Sequence, residues 1–153
     1  MGNKQREWDI TFINIAKEMA KHSTCIRKQV GAILVKNGHI VSTGYNGVPH
    51  GVKHCNEVFK KEDMLKPDWM DVHGKFSSMY EVHAEQNCII EMAKNETNPE
   101  GSTLYLTLSP CSNCAKLIVA AGITRVVYEE KYDRDTSGID LLNNMGVECV
   151  QLS

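Results

Sequence analysis

"STLYLTLSPCSNCAKLIVAAGITRVVYEE", residues 102–130, is the stretch on which the fold turns. Residues 102–109 read as a strand and residues 111–121 as a helix that Gly122 closes at its C′ position. Residues 124–130 read as the next strand. A strand, a helix and a strand in this order make a right-handed crossover between parallel neighbours. The alternation continues downstream, where "GIDLLNNMG" (138–146) supplies a helix ending at Gly146 and "VECVQL" (147–152) a last strand. Upstream, Ala84, Cys88, Ile89, Met92 and Ala93 line one face of a helix over residues 82–94. Such alternation predicts an α/β domain, a sheet with helices on both faces.

Nearer the start the pattern changes. Apolar stretches at 30–35 and 39–43 flank Lys36-Asn37-Gly38, and the Asn-Gly pair marks a hairpin. Residues 7–21 set Ile10, Ile13, Met19 and Ala20 among charges, the pattern of an amphipathic helix. Residues 50–79 hold Gly51, Pro67, Gly74 and scattered charges with no steady period. They read as an irregular insertion, at about 50–80, within a single domain covering residues 1–153. So long a stretch without elements of its own is functional, or is held in place by something else.

Composition narrows the function. With 153 residues, 42% hydrophobic and 24% charged, the chain can bury a core of its own. A net charge of −2 and a sequence pI near 6.3 argue against a nucleic-acid binder and favour a small polar substrate. No apolar run approaches the roughly 18 residues of a membrane span. Residues 1–7 lack the apolar core of a signal peptide, and Arg6 stands where a myristoylation signal needs Ser or Thr. These features predict a cytoplasmic protein with reduced thiols. The six cysteines, at 25, 55, 88, 111, 114 and 149, then point to metal binding or catalysis rather than disulfides. Cys88 and Cys149 sit in helix and strand patterns and read as small buried apolar residues.

Three residues converge in this layout. Cys111 and Cys114 lie on one first helical turn, where exposed N–H groups and the helix dipole favour thiolates. His83 begins the neighbouring helix, and both helix starts lie at the carboxyl ends of strands, where open α/β sheets bind ligands. A His-Cys-Cys set with a fourth position open to water is the pattern of a catalytic zinc. Glu85, one residue beyond Ala84, is placed to carry protons for that water. The Cys-x-x-Cys alone also fits a redox pair or half a zinc knuckle. A redox pair, however, has no use for His83 or Glu85, and a knuckle wants a fourth Cys or His at regular spacing.

His83-Ala84-Glu85 with Pro110-Cys111-Ser112-Asn113-Cys114 matches the H-x-E…P-C-x-x-C signature of zinc-dependent nucleobase deaminases. Together with "STCIRKQVGAILV", "GYNGVPHG", "HAEQNCI", "SPCSNCAKLIVAAGI" and "YDRD", it makes nearly the whole chain resemble the deoxycytidylate (dCMP) deaminases, those of phage type in particular. The resemblance implies a cytidine-deaminase-like three-layer α/β/α sandwich on a mixed five-stranded sheet. It also implies hydrolysis of dCMP to dUMP and ammonia, supplying dUMP for thymidylate synthesis. Glu85 is then the catalytic acid–base, and backbone groups at Ala84 and Ser109 hold the base edge. Arg27, Tyr132 and Arg134 would face the phosphate and Asn46 the sugar. "GYNG", Gly44-Tyr45-Asn46-Gly47, is associated in this family with control by triphosphates, dCTP activating and dTTP inhibiting with Mg2+. Phage-type members also carry a second, structural zinc at positions matching Cys25, Cys55, His73 and Glu81, with His54 as a competing ligand. A homo-oligomer, a hexamer, is expected. Two other readings are an enzyme acting on cytidine or adenosine in nucleic acid, and an inactive relative that binds zinc or nucleotide. The low aromatic content of 7% and the negative charge disfavour the first, and intact Glu85 the second.

Overall fold

The computed structural model describes residues 2–152. Helix α1 (Gly2–Ala20) leads to a hairpin of β1 (Gly31–Lys36) and β2 (His39–Tyr45). Two short pieces, α2 (Cys55–Val58) and a 3-10 turn (Lys61–Leu65), precede α3 (Trp69–Tyr80) and α4 (Ala84–Lys94). The chain then alternates through β3 (Thr103–Leu108), α5 (Ser112–Ala120), β4 (Arg125–Glu130), α6 (Ser137–Asn144) and β5 (Glu148–Gln151). The five strands lie in the order β2-β1-β3-β4-β5. β1 is antiparallel to both β2 and β3, whereas β3, β4 and β5 are parallel. This is the mixed α/β fold the sequence predicts.

The hairpin turns where expected. Asn37 and Gly38 both take positive φ, 53° and 78°, as a turn matching the strands' twist requires. Side chains then alternate between two cores, following the period of two along a strand. Ala32, Leu34, Leu104, Leu106 and Val126 face one way, onto apolar residues of α4, α5 and α6. Ile33, Val35, Tyr105 and Val127 face the other way, onto Phe12, Ile13 and Ala16 of α1. Burial on both faces explains why the central strands read as continuous apolar runs.

The inward stripe of α1 differs from the expected one. Ile10 is 43% exposed, whereas Asp9 is only 2% exposed and shares a stripe with Phe12, Ile13 and Ala16 at helical spacing. Its carboxylate accepts hydrogen bonds from Arg125 Nη1 and Nη2 at 2.8 and 2.7 Å, from Tyr105 Oη at 2.6 Å and from Gln5 Nε2 at 3.0 Å. A charge that looks solvated in sequence is thus the polar anchor between α1 and the sheet.

The insertion is also more regular than predicted, since α2, the 3-10 turn and α3 occupy most of it. Their apolar side chains do not pack on the sheet. Cys25, Cys55, Phe59 and Trp69, flanked by Ile26 and Phe76, form a separate small cluster. A helix serving a local cluster needs no continuous apolar stripe, which is why α3 shows none in sequence. Among the described residues, no helix is long and apolar enough to cross a membrane.

Candidate metal centre

Because β1 runs antiparallel to β2 and β3, the carboxyl ends of β2 and β3 lie at one edge of the sheet, and α4 and α5 both begin there. The approach to α4 is fixed by a two-bond bridge between Gly47 and Val82, with N–H···O distances of 3.0 and 2.7 Å. His83 is the N-cap residue of α4, and its backbone N–H donates to Gln86 Oε1 at 2.8 Å. Gln86 is not among the residues singled out by sequence; its signal is the three-residue spacing of an N-cap and a returning Gln. Cys111 is the N-cap of α5 and Cys114 lies in its first turn.

These elements bring the three predicted donors together. His83 Nδ1 lies 3.1 Å from Cys114 Sγ and 3.6 Å from Cys111 Sγ, and all three donor atoms are within 4.8 Å of one another. Zinc bonds of about 2.0 Å to nitrogen and 2.3 Å to sulfur imply tetrahedral donor separations of roughly 3.5–3.8 Å, so the triad needs only small adjustment. Cys114 is buried while His83 and Cys111 are half-buried, which leaves one side of the triad toward solvent.

The charge state fits a cation as well. A hydrogen bond with Cys114, helped by His83, pushes the Cys111 thiol down to about 4 despite burial. The same hydrogen bond, together with burial, pushes Cys114 up. Thiolate character of this kind is what a divalent metal requires of a cysteine ligand. Glu85, only 4% exposed in the first turn of α4, lies against this pair. Burial raises its pKa, and the charge on His83 opposes the rise.

The other residues predicted around a substrate separate into two groups. Ala84 and Ser109 are buried beside the triad; Ser109 Oγ accepts the Tyr132 N–H at 2.8 Å and so ties the loop after β4 to the end of β3. Asn46 braces backbone, with Oδ1 accepting the Val30 N–H at 2.8 Å and Nδ2 donating to the Lys28 carbonyl at 2.9 Å. Arg27 and Tyr132 are half-buried, whereas Arg134 is exposed. Tyr45 and Gly47 line a surface groove of about 460 Å³ with Val82, Asn87 and Ile90, and Gly44 lies at its base.

A second set of donors meets near the insertion. Cys25, Cys55, His73 and Glu81 place one ligand atom each within 4.8 Å of the others. His73 Nε2 is 3.4 Å from Cys55 Sγ, 3.6 Å from Cys25 Sγ and 3.7 Å from Glu81 Oε1. These separations match the tetrahedral values given above. The side chains of His73 and Glu81 are 2% and 3% exposed, and among the described residues His73 Nδ1 and Glu81 Oε2 have no hydrogen-bond partner. Burial pushes Cys25 up to about 12 and also raises Cys55, so without a cation both remain thiols. Phe59, Trp69 and Phe76 surround the His73 ring, with centroids 5.5, 4.9 and 6.3 Å away. His54 stands outside this set, its Nδ1 facing Thr24 Oγ1 at 3.2 Å.

Comparison with known proteins gives one family. The profile described as the cytidine and deoxycytidylate deaminase zinc-binding region matches residues 6–130. A deoxycytidylate deaminase of Enterobacteria phage T4 is 37% identical over 166 aligned positions, covering 90% of this chain and 86% of that protein. The Homo sapiens deoxycytidylate deaminase is 38% identical, covering 92% of this chain and 77% of its own length. The dCMP deaminase of cyanophage S-TIM5, solved in complex with dCMP and dUMP, is 36% identical with a TM-score of 0.78, covering 95% of this chain and 97% of that one.

Proposed function

This chain belongs to the cytidine and deoxycytidylate deaminase family, and we propose that it hydrolyses dCMP to dUMP and ammonia at a zinc held by His83, Cys111 and Cys114. The meeting of those three donors beside a buried Glu85 carries the reading. Likeness to a deaminase holding dCMP and dUMP supports the substrate.

When bound, zinc supplies the Lewis acidity that makes a water nucleophilic near neutral pH. Glu85 accepts a proton from the attacking water and delivers it to N3 of the pyrimidine. Attack leaves a hydroxyl group on C4. Glu85 takes that group's proton and passes it to the exocyclic amine, and as the C4 carbonyl forms the C4–N bond breaks and ammonia leaves. The raised pKa of a buried carboxyl suits a group that must both take and release protons. Backbone groups of Ala84 and Ser109 hold the base edge in this reading, and Asn46 meets the sugar from the loop it braces. Arg27, Tyr132 and Arg134 serve the phosphate, which needs cationic or hydroxyl donors.

Ammonia release measured side by side from dCMP, deoxycytidine and single-stranded DNA tests the assignment. Release from dCMP well above the other two is expected. Preference for DNA would favour a nucleic-acid deaminase, and no release at all an inactive relative. In the same assay Arg27→Ala raises the KM for dCMP about tenfold, in the range of a charge-assisted hydrogen bond, and leaves that for deoxycytidine unchanged. Equal effects on both substrates would remove Arg27 from the phosphate.

The set of Cys25, Cys55, His73 and Glu81 is assigned a second, structural zinc. Its closed four-donor geometry and deep burial support this. Metal analysis of purified protein should give about two zinc ions per chain, and one per chain would refute the assignment. The remaining family traits complete the proposal: a cytoplasmic homohexamer, activated by dCTP and inhibited by dTTP with Mg2+ through Gly44, Tyr45, Asn46 and Gly47. The groove beside Gly47, one backbone bridge away from His83, supports such control.

A further inference from the structure

Both turns that carry the donors His83, Cys111 and Cys114 are backed by a glycine on another element. Gly138, in the first turn of α6, is buried against the Pro110-Cys111 backbone. A Cβ placed on it would overlap the Pro110 carbonyl oxygen and lie 2.9 Å from both the carbonyl carbon and the oxygen of Cys111. Gly44, on β2, is buried against the start of α4. There a Cβ would lie 2.6 Å from the Ala84 carbonyl oxygen and 2.9 Å from the Cys88 nitrogen. Both contacts are with backbone, which cannot turn aside as the end of a flexible side chain does. Pro110 is itself fully buried, so the backbone that Gly138 meets has little room to shift.

We infer that Gly44 and Gly138 are positioning residues that set the spacing between the His83 turn and the Cys111–Cys114 turn. Gly138 acts through Cys111 and Gly44 through the Ala84 peptide between His83 and Glu85. Neither touches substrate. A methyl group at either position pushes one ligand-bearing turn relative to the other, and a triad with donors 3.1 and 3.6 Å apart tolerates little of that. The inference rests on the zinc assignment made above for His83, Cys111 and Cys114.

A matched control exists on the opposite face of the sheet. A Cβ on Gly31 would overlap the Ala16 carbonyl oxygen and lie 2.6 Å from the Ala20 nitrogen, an equally severe clash but against α1. Gly138→Ala, Gly44→Ala and Gly31→Ala are therefore compared after loading with Co2+, whose ligand-field and thiolate charge-transfer bands report donor geometry. The His83→Ala chain supplies the contribution of the other cluster for subtraction. Gly138→Ala and Gly44→Ala should shift the bands of the first centre and weaken its metal affinity about 10- to 100-fold in chelator competition. Gly31→Ala should lower the unfolding midpoint with those bands unmoved.

Bands and affinity at the wild-type values in folded Gly138→Ala and Gly44→Ala would overturn the inference. So would an equal band shift in Gly31→Ala, which would make the effect one of general stability. Gly44→Ala carries the smaller overlap and decides the matter if Gly138→Ala does not fold. Failure of both to fold also counts against the inference, because positioning requires the sheet to survive the change. A wild-type chain without cobalt bands at the His83 centre would instead defeat the zinc assignment, so the two failures are distinct.

Discussion

Glu85→Gln leaves the chain folded and zinc-loaded while turnover of dCMP falls by about 10²–10⁴-fold, the usual contribution of a positioned acid–base. The amide has the shape of the carboxyl group and fits the same buried site in the first turn of α4. The proposed zinc donors His83, Cys111 and Cys114 are untouched. What the amide cannot do is take a proton from water and give it back. The loss should fall on kcat, with KM little changed, because an amide still offers hydrogen bonds to the pyrimidine. Ammonia release and metal content measured on one preparation check this. A zinc-loaded Gln variant turning over near the wild-type rate would take the proton-carrying role away from Glu85.

Arg125→Met has the largest expected effect on stability. It leaves Asp9, 2% exposed, without its bidentate partner, and breaking a buried pair in this way costs about 3–5 kcal/mol. Against a typical total of about 5–15 kcal/mol, that is a large share. Urea denaturation at pH 7 measures it, and a loss below about 1 kcal/mol would mean that Asp9 finds water instead. Removing both charges, with Asp9→Leu added to Arg125→Met, should destabilise less than Arg125→Met alone. The pair also sets a pH dependence. Burial raises the Asp9 pKa, but hydrogen bonds from Arg125, Tyr105 and Gln5 outweigh it, and the net value lies below the ordinary 3.8. A carboxyl group with a lower pKa in the folded chain contributes its full stability above the unfolded value. That contribution is lost as the pH falls below about 4 toward the folded value, and Arg125→Met should flatten this acid limb.

Much of the fold and most of the candidate metal centre were legible in the sequence, for physical reasons that differ by residue. Asn37-Gly38 announces its hairpin because few other pairs accept two positive φ values. His83, Cys111 and Cys114 are legible because helix starts and strand ends bring together what the chain separates. Asp9 was not, since a lone carboxylate among charges looks solvated until Arg125, 116 residues away, is placed beside it. Helix α3 was hidden because Trp69, His73 and Phe76 point into a local cluster and leave no stripe for a sheet. The seats at Gly44 and Gly138 could not be read at all. A glycine kept for close approach looks in sequence like one kept for a turn, and only the neighbouring backbone tells them apart.

The same long reach from Asp9 to Arg125 dictates an order of events at the ribosome. Helix α1 emerges early and meets Ile33 and Val35 of the first hairpin soon after, but Tyr105 and Val127, which complete the seat of its inner stripe, and the guanidinium that binds its carboxylate come from the far half of the message. At elongation rates of about 5–20 residues per second, the Asp9 carboxylate waits several seconds for its guanidinium, and α1 for the rest of its seat. The docking of α1 is therefore complete only once β4 has cleared the exit tunnel.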